Sequence, residues 1–280
     1  MINTNEDKNL NRSFEDLKID CKNCFGFCCV ALFFSKSDGF PNDKDAGTPC
    51  KNLNNDFSCK IHNSLRDKGL KGCTIYDCFG AGQKVAQITY GGKDWIEDKN
   101  LSKEMFEVFL VVRNLHEMLW YLNGALVYKY TTSIQDDIVK VIKETDSLTK
   151  LSAKDLINLD IDSHRQKVNS LLLKASDLID KEVSKNNKSK IKGFDFIGKD
   201  LRKHNLKGAD FKGALLIASN LSNTDLSYAN FIGSDLRDAD LRGANLSESG
   251  FITQIQINSA KGNSKTKLPK NINMPSYWEK

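Results

Sequence analysis

Twelve positions spaced five residues apart are all Leu or Phe: Phe196, Leu201, Leu206, Phe211, Leu216, Leu221, Leu226, Phe231, Leu236, Leu241, Leu246 and Phe251. Helical faces recur every 3.6 residues and strand faces every two, so a period of five marks a repeat. The preceding residue is Asp or Asn in ten of the twelve cases (Asp195, Asp200, Asn205, Asp210, Asn220, Asp225, Asn230, Asp235, Asp240, Asn245), with Leu215 and Gly250 the exceptions. A small residue usually stands one place earlier, as at Ala209, Ala214, Ser219, Thr224, Ala229, Ser234, Ala239, Ala244 and Ser249. Large apolar groups at this spacing are buried only if successive turns of chain stack them into one column.

The unit A(D/N)LXX resembles the pentapeptide-repeat family over residues 194–255. The resemblance implies a right-handed quadrilateral β-helix, four repeats per coil, with Leu or Phe inward and the small residue beside it. Twelve repeats then make three coils, and at a strand spacing of ~4.8 Å the stack is about 14 Å tall. The expected fold class is α+β: a Cys-rich metal module with helices, followed by this solenoid. In that register Leu226 is core and Lys212 faces solvent. Beyond Phe251 the repeat fails, and Leu268, Pro269, Pro275, Tyr277 and Trp278 are available to cap it.

All eight cysteines lie between positions 21 and 78, as Cys21-x2-Cys24-x3-Cys28-Cys29, Cys50-x8-Cys59-x2-His62 and Cys73-x4-Cys78. Closely spaced thiols suit a tetrahedral soft-metal site, because a tight turn aims two sulfurs at one ion while a distant pair completes the sphere. Adjacent Cys28 and Cys29 diverge from the backbone, so they serve different ions or one of them bridges a pair. Eight sulfurs and the His62 imidazole can hold two four-coordinate ions. The competing reading, a disulfide framework, conflicts with reduced thiols in a cytoplasmic protein. Zinc is the first choice, with iron or an iron–sulfur cluster as the alternative.

The opening CxxCFGFCC, Cys50-Lys51-Asn52-Leu53 and Cys59-Lys60-Ile61-His62, with Cys73 and Cys78, resemble the zinc- or iron-chelating CxxCxxCC (YkgJ-like) family over residues 21–85. This chain departs from that pattern in its x3 spacing before Cys28, and in having His62 where an aromatic residue is usual. The glycines of Tyr76–Gln83 are read as a turn bringing N–H groups to sulfur, since no strand-to-helix context or Lys-Ser/Thr supports a phosphate loop. His116, His164 and His204 have no cysteine neighbours and are read as packing or surface residues.

Between the two ends the periodicity predicts helices over 102–127, with Ser102 as N-cap, over 133–148, with Ser133 as N-cap, and over 163–183. A short piece opens at Ser152 and Asp155. The segments are therefore a Cys-rich module (1–100), a helical region (101–183), a polar linker (184–193), the repeat (194–255) and a cap or tail (256–280). The first hundred residues carry 14 basic and 14 acidic side chains and residues 191–255 carry 8 and 8, so the net +5 comes largely from tail lysines. That tail is read as solvated. The polar first twenty residues lack the apolar stretch of a secretory signal, and no segment has the ~20 apolar residues of a membrane span; a cytoplasmic protein is expected.

Few acids, bases or nucleophiles gather near the cysteines beyond Asp77 and His62, and a solenoid presents surface rather than enclosing a pocket. The reading leans to a metal-binding protein-interaction module with a protein partner. A metal- or iron–sulfur-dependent enzyme is the alternative. A DNA mimic acting on topoisomerases is a further one, opposed by a neutral stack of less than half the ~34 Å turn of a duplex.

Overall fold

The structure is a computed structural model that describes residues 14–186, 191 and 193–278. The start of the N-terminal stretch and half of the expected linker 184–193 lie outside the described residues. The chain divides into two compact units: Met1–Asn123 with Asp136–Ser170, and Gly124–Gln135 with Leu171–Lys280.

In the first unit the cysteine loops carry only short helices: α1 (Phe27–Ala31), α2 (Lys71–Ile75) and α3 (Ala81–Gln83), which runs into a π-helical turn over Lys84–Thr89. These pack on α4 (Lys99–Leu126). Met105, Val108, Phe109, Val112 and Leu115, spaced by three and four, are fully buried with Phe27, Ala81, Val85, Ala86 and Leu156. Phe27 stacks on Phe109 with ring centroids 5.3 Å apart. Each such side chain contributes ~1.5–3 kcal/mol when fully buried, so the apolar stripe of α4 fixes loops that have little regular structure of their own.

Helix α4 begins earlier than expected. Ser102 is therefore not its N-cap but lies inside the first turn, where its hydroxyl donates to the Lys99 carbonyl at 2.8 Å. The Asp98 carboxylate takes the Asn100 N–H at 3.0 Å instead. Ser133 likewise falls inside a 3-10 turn, Lys129–Ile134, ahead of α5 (Gln135–Leu148), whose first turn holds Asp136 and Asp137 at the positive end of the helix dipole. Ser152 does cap α6 (Ala153–Ile157), accepting the Asp155 N–H. Helix α7 (Ile161–Asn186) is longer at both ends than the periodicity indicated and includes the first three residues read as linker.

In the second unit all twelve Leu and Phe positions of the repeat are buried, as are the small residues beside them. Backbone bridges join residues twenty apart, such as Asp200 with Asn220 and Asn220 with Asp240, so four units make one turn of chain. The Leu201 N–H donates to Asn220 O and the Leu221 N–H to Asp240 O, each at 2.9 Å.

The expected α+β class with a right-handed quadrilateral β-helix is corrected by these coordinates. Among the described residues there is no strand and no sheet; the regular elements are helices, and the repeat contributes isolated one-residue parallel bridges. The turns explain this. Every one of the ten Asp and Asn residues before a core position accepts, through its side-chain oxygen, the N–H two residues on, as Asp210 does from Lys212 at 3.1 Å and Asn230 from Ile232 at 3.1 Å. Such Asx turns are followed, two residues after most core positions, by a left-handed residue with φ between 53° and 69°: a Gly at five repeats, but Ala218, Asn223, Tyr228 and Asp238 at four. A chain that turns within every five residues keeps about one residue per side extended, too few for a strand.

The tail adds a helix that the sequence reading did not place. Helix α8 (Gln254–Ser259) starts with a capping box between Thr253 and Gln256 and buries Ile257. The chain then rejoins the stack, with Leu241 N–H donating to Lys261 O and Leu246 N–H to Lys267 O, both at 2.7 Å. Trp278 is buried over Gly262, where no Cβ would fit. Gly250, one exception to the Asp/Asn rule, faces the Tyr128 hydroxyl, which a Cβ would meet at 3.0 Å. The second half of α7 packs on the repeat as well: Asn230 donates to the Ser176 hydroxyl at 2.7 Å, and Val183 covers Gly208. Lys212 is accordingly not a free surface residue, since its ammonium lies 3.1 Å from the Asp180 carboxylate.

Candidate functional site

The first two thiols sit on either side of a 3-10 turn, Cys21–Asn23, with Cys24 at its end. Asp20 caps this turn, accepting from Lys22 N–H at 3.1 Å and from the Asn23 amide at 2.6 Å. Cys28 and Cys29 are consecutive on α1, which starts from the left-handed Gly26. The Cys29 carbonyl takes the Cys50 N–H at 2.9 Å, tying the second cysteine segment to the first. A bridge between Leu53 and Cys59 closes the following loop, and the Cys50 sulfur accepts the Asn52 N–H at 3.5 Å. Cys73 lies in α2. Cys78 precedes the sharp turn of Phe79 and Gly80, and the N–H groups of Gly80 and Gly82 reach its sulfur as the sequence suggested.

All eight thiols are free. They interact in two overlapping groups. Cys78 acts on Cys21, Cys24 and Cys28, and Cys73 feels Cys29, Cys50 and Cys59, while Cys29 also acts on Cys21. Cys28 and Cys29 join the groups, with sulfurs 3.9 Å apart. Burial pushes the Cys21 thiol up to about 11 and those of Cys24 and Cys73 up to about 12. Cys29 alone is pulled down, by the hydrogen bond Cys28 donates to it and by the charge of Lys44; the same bond and burial hold Cys28 well above the ordinary thiol range.

Lys44 gave no signal in the spacing. Its ammonium is fixed by carbonyl oxygens of Leu32 (2.6 Å), Asp45 (2.9 Å) and Thr48 (2.8 Å) and lies 4.5 Å over the Phe34 ring. His62 is exposed on its own turn, His62–Ser64. Asp77 is buried, and burial raises its carboxyl to about 6, although its oxygen is engaged by the Phe79 N–H at 2.6 Å.

Among the described residues no three of these donors are already arranged to hold a metal ion. Other features do fit soft-metal chemistry. A Cβ on Gly82 would lie 2.5 Å from the Cys24 sulfur and 3.9 Å from that of Cys78, so this position leaves the sulfurs room. The Tyr76 hydroxyl, which feels the charges of Cys28 and Cys78, is buried without a hydrogen-bond partner among the described residues.

No helix among the described residues is long and apolar enough to cross a membrane. A model of the family described as pentapeptide repeats matches eight copies over residues 219–249. The uncharacterized protein YybG of Bacillus subtilis (strain 168) is 53% identical over 266 residues, covering 94% of this chain and 95% of that one. No solved structure matches. With identity of that order along nearly the whole of both chains, this protein belongs to the family of YybG and carries pentapeptide repeats in its C-terminal part.

Proposed function

We propose that the protein is a metal-stabilised protein-interaction module, in which the cysteine loops are folded around soft metal and the pentapeptide repeats present a recognition surface to a protein partner. Zinc is the favoured metal, with iron or an iron–sulfur cluster as the alternative. The observation that carries the reading is the mutual influence of the free thiols, Cys78 acting on Cys21, Cys24 and Cys28 while Cys73 feels Cys29, Cys50 and Cys59, and the reading assigns these two groups of four to two sites. Four sulfurs are what a closed structural site requires, and binding free energy there acts as folding free energy. The metal would lower the cost of bringing like-charged thiolates together.

The outer face of the repeat supports recognition of a protein rather than mimicry of DNA. Several of its acids are paired in place, as Asp200 with Arg202, Asp235 with Arg237 and Asp240 with Arg242 at 2.6–2.7 Å, which breaks up any run of negative charge. An enzyme would instead keep a coordination position open for water or substrate. The test is metal content by mass spectrometry after anaerobic purification. Two ions per chain are expected, falling to about one in Cys24→Ser and in Cys73→Ser and to none when both are changed. Loss of both ions from either single change would reject the two-site assignment, and absence of metal from the wild type would reject the reading.

A further inference from the structure

The thiol chemistry makes no use of a cavity of about 700 Å³ in the first unit. Residues His116, Leu119 and Asn123 line it from one face of α4, spanning two helical turns, about 10 Å. Lys84, Gln87 and Ile88 line it from the π-helical turn, an irregularity found mostly where a helix must re-aim side chains at a functional site.

Two nearly inaccessible polar side chains face this space with bonding capacity left. His116 is 5% exposed, and its Nδ1 lies 2.7 Å from the Phe79 carbonyl oxygen. A carbonyl can only accept, so the proton is on Nδ1 and Nε2 is a bare acceptor; burial pushes the ring down to about 4, which keeps it neutral. Asn123 is 3% exposed, and its amide makes no hydrogen bond to a described residue. Lys84, half-buried beside them, has no carboxylate within ion-pair distance among the described residues, although its charge is felt at His116. Polar groups left in this way call for water or a ligand.

The charges select the ligand. Three carboxylates, Asp16, Asp20 and Asp146, and three ammonium groups, Lys84, Lys143 and Lys150, line the same cavity. Asp146 and Lys150 pair with each other at 2.5 Å, which leaves Asp16 and Asp20 against Lys84 and Lys143, still both signs in equal number and complementary to a molecule carrying both rather than to a simple anion or cation. Leu17, Ile88, Leu119 and Ile142 add apolar surface, and the volume lies within the ~300–1,000 Å³ usual for small-molecule sites.

We propose that this cavity binds a small zwitterion of the amino-acid class, a free amino acid or a di- or tripeptide, with its carboxylate on Lys84, an N–H donor on His116 Nε2, its ammonium toward the aspartates and an amide or side chain at Asn123. No thiol lines this cavity, although Asp20, Asn23, Gly80 and Gln83 of its wall belong to the cysteine loops. It is tested on the full chain by thermal shift and calorimetry with the twenty amino acids and mixed di- and tripeptides up to about 10 mM, with acetate and inorganic phosphate as plain anions. At least one zwitterion should raise the melting temperature with saturation. Lys84→Met should abolish that shift while melting unchanged without ligand, and Asn123→Ala should weaken binding at least about tenfold. The proposal is overturned if no zwitterion binds, if Lys84→Met and Asn123→Ala both bind like wild type, or if acetate or phosphate binds as tightly as any zwitterion.

Discussion

At the residue scale, the side chains that the sequence could place by pattern were those with a repeating partner. The ten Asp and Asn residues before the repeat core were visible as a preference, but their reason, an Asx turn closed by each, is a hydrogen bond that only the backbone path reveals. Lys44, His116 and Asn123 had no pattern at all, because each acquires its role from neighbours far along the chain, as His116 does from Phe79. His116 gives a direct test. Its folded value of about 4 lies below the ordinary 6.5 because burial disfavours the charged ring. The unfolded chain therefore binds the proton more readily, and stability present above pH 6.5 is lost as pH falls through 4, by a contribution on the order of 3 kcal/mol. Denaturant titrations at pH 7.5 and 4.5 should show a smaller drop in His116→Gln than in the wild type. An equal drop in both would mean that the ring is not held neutral.

At the element scale, long helices and the period-five repeat were legible because many residues vote for one register. Their ends were not, as Ser102 and Ser133 show: a serine near the start of a helix is a cap only if the chain turns there. The strand expectation failed for a related reason, since the spacing of core residues fixes what is buried but not how tightly the backbone turns between them. Leu226→Ala, in a fully buried position, should cost ~2–5 kcal/mol in a denaturant titration. Lys212→Met should not be silent: it leaves the partly buried Asp180 carboxylate without its ammonium, at a cost of about 1 kcal/mol. A neutral result at Lys212 would show that the pair to α7 contributes nothing. Ala218 is exposed and left-handed, with φ of 53°. A non-glycine residue there costs ~1–2 kcal/mol, so Ala218→Gly should stabilise by up to about 1 kcal/mol after the entropy of the unfolded glycine is offset. Destabilisation in the same titration would contradict the turn geometry.

At the scale of the whole molecule, the clustering of every cysteine between positions 21 and 78 was the strongest functional signal in the chain. The sequence indicated that adjacent Cys28 and Cys29 could serve different ions; which thiols act on one another, and the exposed position of His62 on its own turn, follow only from the folded chain. The central claim is that these thiols form two closed sulfur sites that fold the cysteine loops so that the repeats can work as a recognition surface. X-ray absorption on anaerobically purified, metal-loaded protein tests this most directly. The account predicts four sulfur scatterers around each metal ion at ~2.3 Å for zinc, with no oxygen ligand. A sphere containing a light oxygen ligand, or a protein that takes up no thiol-bound metal, would contradict it.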